Sequence, residues 1–201
     1  MKPLPRLYAI ADASFGDPVR LAEHLFDGGA RLLQVRNKKG SARELLQQVE
    51  RILSVAPADA ELIVNDRVDV ALIAGTGVHL GQTDLPPHAA RRILGFDRIV
   101  GFSTHSVEQA LRANELPLDY IAVGPIFPTG TKENPDPVLG LEALGAICKV
   151  VRKPVVAIGG IKLESAVQVL QTGVSSIAVI RDLLDAPDIA SRVRRWFEVL
   201  T

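Results

Sequence analysis

The chain has one cysteine, one methionine and one tryptophan among 201 residues, and aromatic residues make up only 4% of it. A lone cysteine, Cys148, excludes an intramolecular disulfide framework and fits a reducing compartment. Neither sign of charge is in excess, with Lys plus Arg and Asp plus Glu numbering 23 each. No net field draws the protein toward nucleic acid or a membrane surface, although a balanced total leaves room for a locally basic pocket. No apolar run approaches the ~20 residues that cross a bilayer. The opening Met1-Lys2-Pro3-Leu4-Pro5 lacks the charged, apolar and small-residue zones of a secretory signal. A soluble, cytoplasmic protein is expected.

With 47% hydrophobic residues, the chain can bury the core of one domain spanning 1–201. Its dominant pattern is alternation. Eight short apolar, β-branched runs, at 7–11, 32–36, 62–65, 78–81, 99–103, 120–124, 155–159 and 177–180, are separated by longer segments of helical period. The runs are continuous in polarity, as strands covered on both faces should be. Ser41-Ala42-Arg43-Glu44 spells a capping box before Leu45, Val49, Ile52 and Leu53 on one face, and Ser106 with Gln109 repeats it. Ala166, Val169 and Leu170 stripe the seventh helix. Ile189, Val193, Trp196, Phe197 and Leu200 stripe the last, with Pro187 in its first turn. Gly29, Gly75 and Gly173 each follow a helical segment and lead into a strand, where a left-handed turn suits glycine. Strict βα alternation calls for a parallel sheet. Eight units, without G-x-G-x-x-G after the first strand, favour an α/β single-domain (β/α)8 TIM barrel over an open sheet.

In such a barrel the active site lies at the carboxyl ends of the strands. Strand 2 ends in Gln34-Val35-Arg36-Asn37-Lys38, and alternation puts Gln34, Arg36 and Lys38 on the side of the barrel mouth, with Asn37 turned away. Two cations and an amide there suit an anionic oxygen cluster. Asp66 and Asp84 follow strands 3 and 4 with no His/Cys ligand set. Either they are helix caps, or they hold Mg²⁺, which takes one or two carboxylates with phosphate oxygens and water. Ser103 and His105 follow strand 5, whereas His79, inside strand 4, reads as a hydrogen-bonded inner-barrel residue. Thr129, Thr131 and Lys132 offer hydroxyls and a charge on the loop after strand 6. Gly159-Gly160 and Ile180-Arg181-Asp182 close strands 7 and 8, the habitual phosphate site of these barrels. Two phosphate-suited regions flanking one candidate metal pair point to two phosphorylated substrates, or to one carrying a diphosphate.

Taken together, 34–38, Val64-Asn65-Asp66, 77–84, 124–132, 157–161 and 177–180 resemble the thiamine phosphate synthase (thiamine-phosphate pyrophosphorylase) family. The resemblance spans nearly the whole chain in the right order. It implies a transferase of thiamine biosynthesis that joins 4-amino-2-methyl-5-hydroxymethylpyrimidine diphosphate to a thiazole phosphate and releases pyrophosphate. Implied roles follow. Gln34, Arg36, Lys38, Asn65 and Lys132 hold the pyrimidine diphosphate, Asp66 and Asp84 bind Mg²⁺, and Ser103 lies near the reacting centre. Thr129, Thr131, Gly160 and Ile180 bind the thiazole phosphate, joined by Arg181, which stands where a small hydroxyl residue is usual. Arg36, Lys38, Ser103 and Lys132 are the expected catalytic set. The expected partners are small phosphorylated pyrimidine and thiazole molecules, not nucleic acid or membrane, with room for a homodimer. Two other readings share the scaffold: a thiazole tautomerase using His105 as acid and base, and a non-catalytic phosphate-ligand binder. Retention of Asn65-Asp66, Asp84 and Thr131-Lys132 argues against both.

Overall fold

The structure is a computed structural model that describes residues 3–130 and 136–200. Among these residues eight parallel strands close in sequence order into one barrel, β1 pairing with β8. The strands are β1 (Leu7–Asp12), β2 (Leu32–Arg36), β3 (Glu61–Asn65), β4 (Gly77–Leu80), β5 (Val100–Thr104), β6 (Tyr120–Val123), β7 (Val155–Ile158) and β8 (Ser176–Val179). Around them lie α1 (Pro18–Asp27), α2 (Ala42–Val55), α3 (Val68–Ala74), α4 (Pro87–Leu94), α5 (Val107–Asn114), α6 (Gly140–Val150), α7 (Ala166–Gln171), α8 (Arg181–Leu184) and α9 (Ile189–Leu200). The (β/α)8 architecture read from the alternation is thus observed. No helix among the described residues is long and apolar enough to cross a membrane.

Strand alternation builds two cores. Leu33, Val35, Val64, Val78, Ile121, Val123 and Ile177 point outward and pack under the helices. Tyr8, Ile10, Leu32, Ile63, Tyr120, Ala122, Val156 and Ala178 fill the barrel itself. Both faces of each strand are therefore dry, which is why the apolar runs are continuous. The interior is crowded enough to dictate Gly101, because a Cβ there would lie 2.0 Å from Cζ of Tyr120.

Local signals place the helices. At α2, Glu44 N–H donates to Ser41 Oγ (3.3 Å) while Ser41 N–H donates to Glu44 Oε2 (2.7 Å), a complete capping box. The second box is only half formed. Ser106 Oγ accepts from Gln109 N–H at 3.1 Å, but the Gln109 amide oxygen turns to His105 N–H at 2.7 Å. Gly29, Gly75 and Gly173 all have positive φ, as their places after helices required. Pro187 departs from expectation. Asp188 accepts from Ser191 N–H (2.9 Å) and so caps α9, leaving the proline outside its first turn.

Several strand limits differ by a residue from those read in the sequence, for local reasons. β7 stops at Ile158 because Gly159 takes φ 99°. β8 stops at Val179 because Ile180, at φ −116° and ψ −82°, already turns the chain into α8. β1 runs on through Asp12, whose register partner is Arg36. That extra residue bears on the site.

Candidate active site

The inward-facing ends of the strands open into one cavity of about 1070 Å³. It gathers Gln34, Arg36, Lys38, Asn65, Asp66, Asp84, Ser103, Thr129, Gly160, Ile180 and Arg181. Thr131 and Lys132 lie outside the described residues. Parity along β2 sends Gln34, Arg36 and Lys38 to this side, while Asn37 turns away and ties down its own loop through Gly40 N–H (2.9 Å) and Gln48 (3.1 Å).

Arg36 is held by an ion pair from its Nη1 to Asp12, a carboxylate only 3% exposed. Asp12 also accepts from Ser14 N–H (2.9 Å) and Ser14 Oγ (2.7 Å). It was not among the sequence candidates, although the rule that found the others, a polar residue ending an apolar strand, fits it too. With one terminal nitrogen committed to Asp12, the planar guanidinium keeps its remaining donors for an anion in the cavity.

Asn65 is buried (8% exposed), and directly after it Asp66 adopts φ 64°, the only left-handed non-glycine backbone among the described residues. This conformation is uncommon outside glycine, asparagine and aspartate, and it turns the carboxylate toward the neighbouring strand ends. Lys38 Nζ stands 2.9 Å from Asp66 Oδ2. Asp84 accepts from Gly81 N–H at 2.6 Å. Its carboxyl is pushed above the ordinary range, first by burial and then by the Asp66 carboxyl within hydrogen-bonding reach, against the pull of Gly81 N–H and Lys38. The Asp84 carboxyl, costly to ionise beside Asp66 and next to an open cavity, forms with Asp66 a donor pair that a hard divalent cation would relieve. Neither aspartate caps a helix through its side chain: α3 and α4 start without side-chain caps. Among the described residues no group of three or more His, Cys, Asp or Glu is placed to hold a metal ion; a cation on this pair would take its remaining ligands from substrate oxygens and water.

Across the cavity the polar groups are backbone. Ile126 and Phe127 N–H donate to Ile158 O and Gly159 O, both at 3.0 Å, so the loop after β6 runs against the end of β7. Gly160, at φ 66°, has no room for a side chain: a Cβ would lie 2.5 Å from Pro128 O. Thr129 and Arg181 both line this rim. The Arg181 guanidinium sits 5.2 Å over the Phe15 ring and pairs with Asp185 Oδ2 at 3.3 Å.

Beneath both halves runs a buried polar network. Gln34 Nε2 donates to Tyr8 OH at 2.9 Å, and Tyr8 OH meets Tyr120 OH at 2.9 Å. Tyr120 OH then meets His79 Nδ1 at 2.8 Å, while His79 Nε2 reaches Ser103 Oγ at 2.9 Å. His79 is the satisfied inner-barrel residue that its position predicted. His105 Nδ1 contacts Gly124 O at 2.6 Å, on the side of the loop after β6. Lone Cys148 is away from the cavity, and burial raises its thiol pKa, as suits an unreactive packing residue.

Fold and site together define a (β/α)8 barrel with a cavity at its strand ends, with cations and carboxylates on one wall and glycine-rich backbone on the other. The family model for thiamine monophosphate synthase matches residues 7–183. The chain is 48% identical to a thiamine-phosphate synthase of Koribacter versatilis, covering 98% of this chain and 96% of that protein. It is 46% identical to one from Chlorobium phaeovibrioides, over 92% and 88%. Among solved structures, the thiamine phosphate pyrophosphorylase of Pyrococcus furiosus superposes with a TM-score of 0.89 at 36% identity, covering 97% of this chain and 95% of that one. The chain therefore belongs to the thiamine-phosphate synthase family, a family of transferases.

Proposed function

We propose that this chain couples 4-amino-2-methyl-5-hydroxymethylpyrimidine diphosphate to 4-methyl-5-(2-phosphoethyl)thiazole, or its carboxylated form, and releases pyrophosphate. The observation that carries this reading is the two-walled cavity. Arg36, Lys38 and the Asp66–Asp84 pair stand on one wall, and Gly160 with Thr129 on the other, all lining a single space. On the first wall, Gln34, Arg36, Lys38 and Asn65 hold the diphosphate of the pyrimidine, and Lys132 shares that role. On the second, Thr129, Gly160 and Ile180 hold the phosphate of the thiazole, a role that Thr131 shares.

Asp66 and Asp84 would hold Mg²⁺, which when bound supplies positive charge to the diphosphate oxygens. The chain's own groups do the rest. Arg36 and Lys38 stabilise charge that grows on the departing diphosphate, where fixed donors act best. The carbon–oxygen bond breaks first, leaving a cation delocalised into the pyrimidine, and the thiazole nitrogen on the opposite wall adds to it. Capture of a short-lived cation depends on holding the nucleophile close, which the facing walls do. No strong base is needed. Arg181, paired with Asp185 at the rim, acts at most on the approach of the anionic thiazole. The reaction belongs in the cytoplasm, with small phosphorylated molecules as partners.

The test is pyrophosphate release with both substrates and Mg²⁺, run beside the thiazole phosphate tautomer alone. Coupled product with Mg²⁺-dependent release supports the reading. Tautomer conversion without coupling overturns it and favours an acid–base role for His105. Unaltered turnover in excess chelator would sink the metal assignment.

A further inference from the structure

We propose that Tyr8, Tyr120 and His79 form a one-way hydrogen-bond chain that fixes Ser103 as a proton donor toward the cavity, which makes the two tyrosines positioning residues. The proposal deepens the function proposed above and rests on it for the substrate. Its basis is the count of hydrogens. Gln34 Nε2 donates to Tyr8 OH. Tyr8 therefore has its one hydrogen left for Tyr120 OH, 2.9 Å away. Tyr120, already accepting, gives its own to His79 Nδ1 at 2.8 Å. A neutral imidazole that accepts at Nδ1 carries its proton on Nε2. That proton goes to Ser103 Oγ at 2.9 Å, and the Ser103 hydrogen is left to face the cavity that Ser103 lines.

Packing keeps the chain in register. Tyr8 and Tyr120 are 1% and 0% exposed. Their rings meet edge to face at 89°, with centroids 5.8 Å apart, and His79 stacks on Tyr120 at 14°. Burial raises both tyrosine hydroxyls well above their ordinary range, so each keeps its proton. Reversing the chain would require the Gln34 amide to turn over, which couples Ser103 to a residue on the far side of the barrel. A substrate atom seated against Ser103 is therefore an acceptor, such as a heteroaromatic ring nitrogen or a diphosphate oxygen. An N–H placed there would meet a donor.

The direct test is ¹⁵N NMR of the histidine rings of the full chain, with His79 assigned by its loss in His79→Gln. The expected pattern is an unprotonated Nδ1 and a protonated Nε2. The opposite tautomer, or protonation at both nitrogens, overturns the proposal. This readout needs no substrate, so it stands even if the proposed coupling activity is not found. Where activity is found, Tyr120→Phe keeps the ring in its slot beside Gly101 and removes the link. It should lower turnover about tenfold, the scale of one lost hydrogen bond. In a Ser103→Ala background the same change should cost less than about twofold, because interacting residues are not additive. Equal losses in both backgrounds overturn a role exerted through Ser103.

Discussion

Asp12→Ala is the substitution whose effect follows most directly from geometry. The carboxylate is 3% exposed and its partner Arg36 18% exposed, so removing it leaves a guanidinium with little water. Breaking a buried pair in this way costs about 3–5 kcal/mol. The low end applies, because Arg36 also borders the open cavity. Loss of the bond from Ser14 N–H (2.9 Å) adds about 1 kcal/mol, the worth of a helix N-cap. The total is about 4 kcal/mol. At about 2–4 °C per kcal/mol for a chain of this size, Tm should fall by about 8–16 °C in differential scanning calorimetry. Asp12→Asn keeps an oxygen for Ser14 and should recover about 1 kcal/mol of the loss. Pyrophosphate with Mg²⁺ should restore more to Asp12→Ala than it adds to the parent, since the anion supplies the missing countercharge. A fall of less than about 3 °C for Asp12→Ala would refute the claim that this pair holds Arg36.

Three further outcomes are expected. Because burial, and after it the Asp66 carboxyl, raises the Asp84 carboxyl, the metal-free fold holds that proton more tightly than the unfolded chain does. The associated stability is present below the unfolded value and is lost as pH rises through the raised folded one. Asp84→Asn should therefore flatten the metal-free Tm as pH rises above the ordinary carboxylate range, by less than about 1 kcal/mol because solvent screens the pair; it should also abolish stabilisation by Mg²⁺, and retention of that stabilisation would remove Asp84 from the metal site. Gly101→Ala should cost at least about 3 kcal/mol by urea unfolding, since overpacking and broken network bonds add; a loss below about 1 kcal/mol would contradict the Tyr120 packing. Lys132→Ala should reduce pyrophosphate release by about 10²-fold or more, as removal of an electrostatic stabiliser does, and near-parental rates would exclude it from the site.

The barrel was legible because nothing competes with its signal. Runs such as 32–36 and 62–65 are mostly apolar and each is followed by a helix, the first of these opened by a complete capping box. The β2 wall was legible for the same reason. With parity fixed by Leu32, buried inside the barrel, Gln34 and Arg36 had to follow it inward. Contacts distant in sequence were not legible. Tyr8 and Tyr120 are 112 residues apart, and nothing local distinguishes their hydroxyls from ordinary core tyrosines. Asp12 ended the first strand as plainly as Asp66 and Asp84 followed theirs, but its meaning depends on the β1–β2 register that sets it opposite Arg36. For Arg181, position in the sequence showed neither the Phe15 ring beneath its guanidinium nor its pairing with Asp185.

The contact between the loops after β6 and β7 constrains how such a site can change over time. A Cβ at Gly124 would lie 2.1 Å from Ile158 O, one at Gly159 2.6 Å from Pro125 Cα, and one at Gly160 2.5 Å from Pro128 O. Main chain rests on main chain at all three, so no flexible neighbour can yield. Insertions or side chains here would separate the loops, and the acceptor wall would be lost as a unit. Retuning for a bulkier or differently charged acceptor must then proceed through the side chains of the rim, Thr129 and Arg181 above all. Chemistry on this scaffold is thus evolvable at the rim and frozen at the seam.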